Sequence, residues 1–547
     1  MDHEVIIIGA GLAGLVAACE IARAGKKVLL LDQEPETNMG GQAWWSFGGL
    51  FLVDSPEQRR LGIHDSKALA WQDWQGSAGY DREEDDWGMK WAKAYIEFAA
   101  GEKRQWLHEL GIRFFPIVGW AERGGHLANG HGNSVPRFHI VWGTGPAIVA
   151  PFEQQVRQYM DRGLIDYKPR HRVDQLLTDK GRVGGVSGAI LAPSSSKRGE
   201  PSNRTVVGGF DYSGHAILIA SGGIGGNHEL VRKNWPKRLG KAPQKMISGV
   251  PAHVDGRMLA IAEQAGGRIV NRDRMWHYTE GIHNWNSIWD NHGIRILPGP
   301  SSMWFDAKGK RFPLPGLPGF DTLGTLELIQ STGYDYSWFI LTQSIIEKEF
   351  ALSGSEQNPD LTDKSIAKIL KRVLPGPPEP IQSFLDHGED FIIKHSLEEL
   401  VNGMNELTGE DLINLDDIRT QIEARDRDLE NSFGKDLQLA AIRSSRKFMG
   451  DKLIRVAKPH KLLDPKNGPL IAVRLHIVSR KTLGGLQTDL NGQVLDMNQQ
   501  LIPGLYAAGE ASGFGGGGIH GYRSLEGTFL GGCLFTGRTA GHAISKL

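Results

Sequence analysis

The sequence predicts an α/β fold, on three observations. At the N-terminus, "EVIIIGAGLAGLVAACEIARAGKKVLLLDQE" reads as a short apolar strand, a glycine-punctuated turn, a helix and a second apolar strand. A later strand, "HAILIASGGIGG", also ends in a turn of small residues. Near the C-terminus, "GEASGFGGGGIHGYRSLEGTFLGG" follows a strand-like "LIPGLYAAGE" and runs into "TFLGGCLFTGRTAGHAI", which can form a helix. A βαβ unit with glycines at the strand end is the signature of a Rossmann-type sheet.

The N-terminal unit carries the most information. Val5 to Ile8 form the first strand, and Gly9, Gly11 and Gly14 make G-x-G-x-x-G. A helix runs to about Arg23, and the second strand, Val28 to Leu31, ends at Asp32. The glycines serve a tight turn, close approach to a pyrophosphate and close helix–strand packing. The helix N-terminus offers free N–H groups and the positive end of its dipole. Asp32 stands where a carboxylate accepts from a ribose hydroxyl. Together these features predict a dinucleotide site.

The second strand then runs into another glycine-rich loop, "PETNMGGQAWWSFGGL". With the turn at Ala220 to Gly223 and the C-terminal run, three such loops can converge on one long ligand. That arrangement suits FAD better than NAD, and makes the C-terminal run a flavin cradle rather than a linker.

The composition agrees with a globular protein. The 547 residues are 40% hydrophobic and 23% charged, enough for two or three domains. Lys+Arg (62) and Asp+Glu (63) nearly cancel, which argues against nucleic acid or an anionic membrane as partner. The two cysteines, Cys19 and Cys533, give no disulfide framework and no CxxC, so a reducing compartment, the cytoplasm, is expected. The apolar N-terminus has no basic region ahead of it, and no uninterrupted apolar run reaches 18 residues, so neither a signal peptide nor a membrane span is expected. No Cys/His metal spacing occurs. His126 and His131 in "GGHLANGHGN" lie on a glycine-rich loop, and no metal is expected there. No G-x-S-x-G appears, which argues against a hydrolase.

Further motifs follow in order: "GRVGGVSGAI", "ILIASGGIGGN", "FDAKGKRF", "KTLGGLQTD", "IPGLYAAGE" and "TGRTAG". On these the chain resembles, over nearly its whole length, the flavoproteins that comprise fumarate reductases, succinate dehydrogenase flavoprotein subunits and 3-ketosteroid dehydrogenases. It is most similar to the ketosteroid-dehydrogenase-like branch. The resemblance implies a discontinuous FAD-binding domain (residues 1–270 and 465–547) with an inserted α+β capping domain (271–464) that shapes the substrate site. It places Gly9, Gly11, Ala13, Gly14, Asp32 and Gln33 at the nucleotide half of FAD. Gly40, Gly41, Gln42 and Ala43 would take the pyrophosphate or ribityl chain. Val173 would lie by the adenine, Ala220 and Gly222 by the nucleotide, and Glu510 at a ribityl hydroxyl. Backbone from Leu525 through Gly527 and Thr528 to Phe529 would face the flavin ring. "GGQAWWS" lacks the histidine that attaches FAD in succinate dehydrogenases, so non-covalent FAD is expected. The stretch from Ser353 to Pro380 reads as a surface excursion, with a homo-oligomer contact or a membrane-surface patch as alternatives.

The family's chemistry is hydride transfer between flavin N5 and a carbon of an activated C–C bond. Departures from pattern narrow it. The proton-donating arginine of fumarate reductases falls at Gly319, and their paired histidines at Arg480 and Lys481. The "GG-x-HG" element survives as Gly517, Gly518, His520 and Gly521. Its following arginine aligns with Ser524, and Arg523 stands one place earlier. An apolar "PLPGLPGF" (313–320), with "MWHYTEGIHNWNSIW" (275–289) upstream, better suits a flat apolar substrate such as a steroid. The ketosteroid dehydrogenase tyrosines fall near Phe320 and near Tyr522. Tyr522 or Arg523 would polarise a carbonyl, or else bond nearby backbone. His520 would meet flavin or substrate, or hold its loop. Tyr278 and His277 would serve as the acid–base group, or pack among tryptophans. Arg480 would bind an anionic group, or pair with the cap. Tyr334 and Tyr336 read as core. The expected function is an FAD-dependent dehydrogenase acting on a CH–CH bond of an apolar, 3-ketosteroid-like substrate, with an electron acceptor that the sequence leaves open. The alternatives are a fumarate- or enoate-type reductase fed by a reduced carrier, and a non-catalytic electron-transfer subunit.

Overall fold

The computed structural model describes residues 3–125, 130–372 and 376–547. One half is built on a six-stranded sheet in the order Gln493–Leu495, Leu501–Ala507, Ala216–Ile219, Val5–Ile8, Val28–Leu31, Ile165–Lys168. All neighbours are parallel except the first pair. Val5 sits in register with both Ala216 and Val28, and Ile217 with Leu505, so strands from the two ends of the chain share one sheet. Three central strands, Val5–Ile8, Val28–Leu31 and Ala216–Ile219, have only buried residues, as a sheet covered on both faces requires.

The helix after the first strand, Leu12–Arg23, is buried from Leu12 to Ala22. Against it lies the last helix, Thr528–Ile544. A Cβ on Gly537 would come within 2.4 Å of the Ala13 carbonyl oxygen, and one on Gly541 within 2.9 Å of Glu20. The "TGRTAG" motif is therefore a helix contact that only glycine allows.

The second half surrounds an eight-stranded sheet whose spine is Leu470–Thr482. Tyr336–Thr342, Met275–His283 and Phe391–Lys394 all pair with it antiparallel, and Ile247–Ser248 parallel. Leu470–Thr482 lies just after the expected boundary at 464/465. It completes the sheet of the inserted segment, because its buried run of alternating Leu, Ile, Val and Ala needs two apolar faces to cover it. Two three-stranded antiparallel sheets flank the halves, Gly49–Phe51 with Phe138–Val141 and Phe114–Gly119, and His171–Asp179 with Arg182–Leu191 and Val206–Ser213.

The Ser353–Pro380 stretch departs from its expected exposure at its start. Ser355, Asn358, Asp360 and Leu361 are buried, and Ser355 bonds the Trp44 and Trp45 carbonyls. Farther on, Ile366 and Leu370 are exposed. Among the described residues no helix is long and apolar enough to cross a membrane. His126 lies outside the described residues, whereas His131 pairs with Asp321 at 3.0 Å.

Candidate active site

A long cavity runs from the carboxyl ends of the parallel strands to the face of the eight-stranded sheet. At one end its walls are Gly9, Gly11, Leu12, Ala13, Asp32, Gln33, Val173, Ala220 and Gly222, with His253 and Arg257 behind them. A crevice at the carboxyl ends of parallel strands is where such sheets bind ligands. Gly9 has φ +107°, and a Cβ there would lie 2.6 Å from the Ala220 oxygen, so the turn accepts only glycine. The helix Leu12–Arg23 has no side-chain cap at Gly11, which leaves its first N–H groups for a ligand. Asp32 is half-buried, and desolvation raises its pKa. Its oxygens accept from the Ala10 and Glu34 backbone N–H groups at 2.7 and 2.8 Å, so besides facing the cavity it braces the turn.

Midway lie Gly41, Gln42, Ala43, Gly509 and Glu510. Gln42 Oε1 is buried with no partner among the described residues, an acceptor aimed at something absent. Glu510 accepts from the Thr482 N–H at 2.7 Å, and burial raises its pKa. Free helix N–H groups, a glycine turn that backbone alone lines, and an orphaned polar atom together suit a long dinucleotide with a pyrophosphate at its centre.

At the far end the walls divide. Phe47 and Phe138, stacked at 6.3 Å, join Ala121 and Leu297 in an apolar face. Opposite them are Tyr278, Lys481, Arg295, Glu526, Arg480 and Phe529. Lys481 Nζ lies 3.1 Å from the Tyr278 hydroxyl and 4.5 Å from the centre of the Phe529 ring. Burial, and then the neighbouring Arg480 charge, lower the Lys481 pKa to about 7. Burial raises that of Tyr278. Arg295 lies 3.9 Å over the Tyr278 ring and donates to Glu526 at 2.8 Å, with Glu280 and Glu122 at 3.7 and 3.8 Å. Burial works against the Arg295 charge, but Glu280 and Glu526 outweigh it. Glu122 is pushed well above the carboxylate range by burial, and accepts from Thr322 N–H at 2.6 Å.

Other expected residues stand elsewhere. Gly14, Gly40, Leu525 and Thr528 are off the cavity wall. Gly14 works from behind, since a Cβ there would come within 2.0 Å of the Gly9 oxygen. Gly40 donates to the Ala10 carbonyl at 2.8 Å. Thr528 is bonded to His520 Nε2 at 2.8 Å. His520 itself is buried against Trp74 and Phe514, off the cavity wall, and burial lowers its pKa to about 3. Tyr522 also lies outside the cavity. Its loop turns at Gly521, with φ +56°, and its N–H bonds the Ala78 carbonyl. The side chain is thereby sent to Asp81, 3.0 Å from the hydroxyl, with the Arg274 guanidinium 4.0 Å from its ring. Arg523 faces Asp321 at 3.5 Å, in a small separate cavity with Glu122 and Trp276. His277 stacks on Trp235 and is likewise off the wall. Of 313–320, no residue lines the main cavity: Gly319 and Phe320 carbonyls accept from the Arg123 and Gly124 N–H groups instead.

The glycine run also differs from its expected use as a flavin cradle. Gly509, Phe514, Gly527 and Phe529 reach the cavity, but Gly513, Gly515, Gly516, Gly517, Gly518 and Gly521 do not. A Cβ on Gly515 would lie 2.9 Å from the Trp91 ring and one on Gly516 2.5 Å from the Trp87 carbonyl carbon, so these glycines make room for the helix Asp86–Ala100. Sequence reasoning missed Glu526, Arg295 and the apolar wall, and saw Lys481 only beside Arg480. The one available signal was Glu526, a charged residue inside an otherwise small and apolar loop.

The FAD binding domain model matches residues 4–530. The chain belongs to this family. A KsdD-like steroid dehydrogenase of Mycobacterium tuberculosis is 59% identical over 547 residues, covering 100% of this chain and 96% of the relative. A second, from Mycolicibacterium smegmatis, is 61% identical over 531 residues, covering 97% and 96%. The crystal structure of 3-ketosteroid delta1-dehydrogenase from Sterolibacterium denitrificans, in complex with 1,4-androstadiene-3,17-dione, superposes with a TM-score of 0.69 over 100% of this chain and 99% of that one. At 16% identity it speaks for the fold alone. The protein is thus a flavoprotein oxidoreductase whose cofactor is FAD.

Proposed function

We propose that the protein dehydrogenates a C–C bond next to the carbonyl of a flat apolar ketone of the 3-ketosteroid class, with FAD held non-covalently. The observation that carries this is the divided far end of the cavity, where one apolar wall faces the Tyr278–Lys481 pair. The relatives named as steroid dehydrogenases support the substrate class. FAD, when bound, supplies the acceptor for the hydride. The protein's own task is the proton. Tyr278 takes it from the carbon beside the carbonyl while its hydroxyl proton passes to neutral Lys481, 3.1 Å away. The substrate so loses one hydride and one proton and gains a double bond. Phe47, Phe138, Ala121 and Leu297 hold the rings and keep water from the reacting carbon. The place of the fumarate reductase arginine, Gly319, carries no side chain and lies off the cavity, which argues against a dicarboxylate.

The test is anaerobic titration of the purified flavoprotein with androstenedione. Bleaching of the blue flavin band is expected. A flavin that stays oxidised at saturating steroid would overturn the assignment, and release of the chromophore on acid precipitation checks non-covalent attachment.

A further inference from the structure

At the opposite end of the strands that carry Tyr278 and Lys481 lies a second cluster of side chains. His283 ends Met275–His283, His476 stands on Leu470–Thr482, and Asp390 immediately precedes Phe391–Lys394. Gly281 and His476 are register partners, so the two histidines are close neighbours on one sheet. Ligand atoms of His283, Asp390 and His476 all lie within 4.8 Å of one another. The imidazole rings are 4.5 Å apart and cross at 69°.

Both imidazoles aim at the same carboxylate. Asp390 Oδ1 meets His476 Nε2 at 2.8 Å and the Arg474 Nε–H at 3.0 Å. Its Oδ2 meets the His283 backbone N–H at 2.8 Å and His283 Nδ1 at 3.0 Å. Glu389 Oε1 lies 3.0 Å from the same His283 Nδ1. The carboxylate thus has four acceptor positions in use. Two face the Arg474 guanidinium and a backbone amide, which stay. Two face imidazole nitrogens whose protons a metal ion can replace. The retained donors then act as the outer shell that orients a ligating carboxylate. Asp390 is buried at 1% side-chain exposure, whereas His283 and His476 are 28% and 13% exposed, so the site is shaped inside and reachable from outside.

We propose that His283, His476 and Asp390, with Glu389 as a fourth ligand, bind one divalent first-row metal ion, zinc in particular. Two imidazoles with carboxylate oxygens are the donor set such ions prefer. The ion clamps three strands of the eight-stranded sheet. The site lies five residues along each strand from Tyr278 and Lys481, roughly 15–17 Å at the strand rise, so its role is structural and not catalytic. The residues come together from sequence separations of 107 and 86, which no local spacing reveals.

The test uses the chelator-stripped flavoprotein titrated with Zn²⁺ against a chromophoric competitor, and with Co²⁺ followed in the visible. Uptake of one ion per chain is expected, with the intense d–d bands of a low-coordinate N/O cobalt site. His283→Gln with His476→Gln should weaken uptake at least 100-fold while the flavin spectrum is kept. If that double variant does not fold, the cobalt spectrum of the unaltered protein decides alone. No saturable uptake at micromolar metal, or uptake unchanged in the folded double variant, overturns the proposal.

Discussion

Tyr278 and Lys481 make the residue-scale claim testable through pH. Lys481 has its pKa lowered to about 7 by burial and by Arg480, so it becomes neutral as pH rises through that value. Neutral Lys481 is the form that receives the proton, and flavin reduction by substrate should therefore accelerate across pH 7. Stopped-flow rates between pH 5.5 and 8.5 would reveal the inflection, and Lys481→Met should abolish it. An inflection that persists in the variant would exclude Lys481. Tyr278→Phe should retain FAD and lose about 10²–10⁴-fold in the reduction rate, the usual worth of a positioned acid–base group. Arg295 stands among Glu122, Glu280 and Glu526, all buried. Arg295→Met would strand those carboxylates, and should cost about 3–5 kcal/mol, read as a lower denaturant midpoint. Tyr278 was legible in the sequence only as a tyrosine among tryptophans, and Tyr522 was the stronger candidate. What separated them was the left-handed turn at Gly521, which sends Tyr522 to Asp81.

At the scale of elements, the first and last helices form the packing on which the nucleotide end depends. The closest approach is Gly537 to Ala13, the latter itself on the cavity wall. Gly537→Ala puts a methyl 2.4 Å from the Ala13 oxygen, so the helices must separate. Overpacking of this kind costs about 1–3 kcal/mol. FAD affinity should fall along with the unfolding midpoint, as flavin fluorescence titration would record; unchanged affinity would mean that the cavity wall does not feel the contact. The N-terminal βαβ unit could be read directly, because each step is local: apolar strand, glycine turn, helix, acid. The C-terminal glycine run could not. Its composition is the same whether it borders a flavin or a tryptophan helix, and only the position of Trp87 and Trp91 distinguishes the two.

At the scale of the whole molecule, the FAD cavity draws its walls from both chain ends and from the segment between them. A ligand that bridges these parts stabilises only the folded state. Removing FAD should lower the thermal midpoint, and adding it back at 100 to 1,000 times Kd should restore roughly 3–4 kcal/mol. Calorimetry with and without added FAD would show it, and identical midpoints would contradict a shared cavity. The sequence by itself determined the α/β class, the dinucleotide end and the choice of FAD, because those rest on short motifs whose geometry is local. Only the tertiary structure decided that Leu470–Thr482 is the spine of the second sheet, that Lys481 meets Tyr278, and that His283, Asp390 and His476 converge. Those are contacts between strands far apart in the chain, and their register is set by which faces the rest of the sheet leaves to be buried.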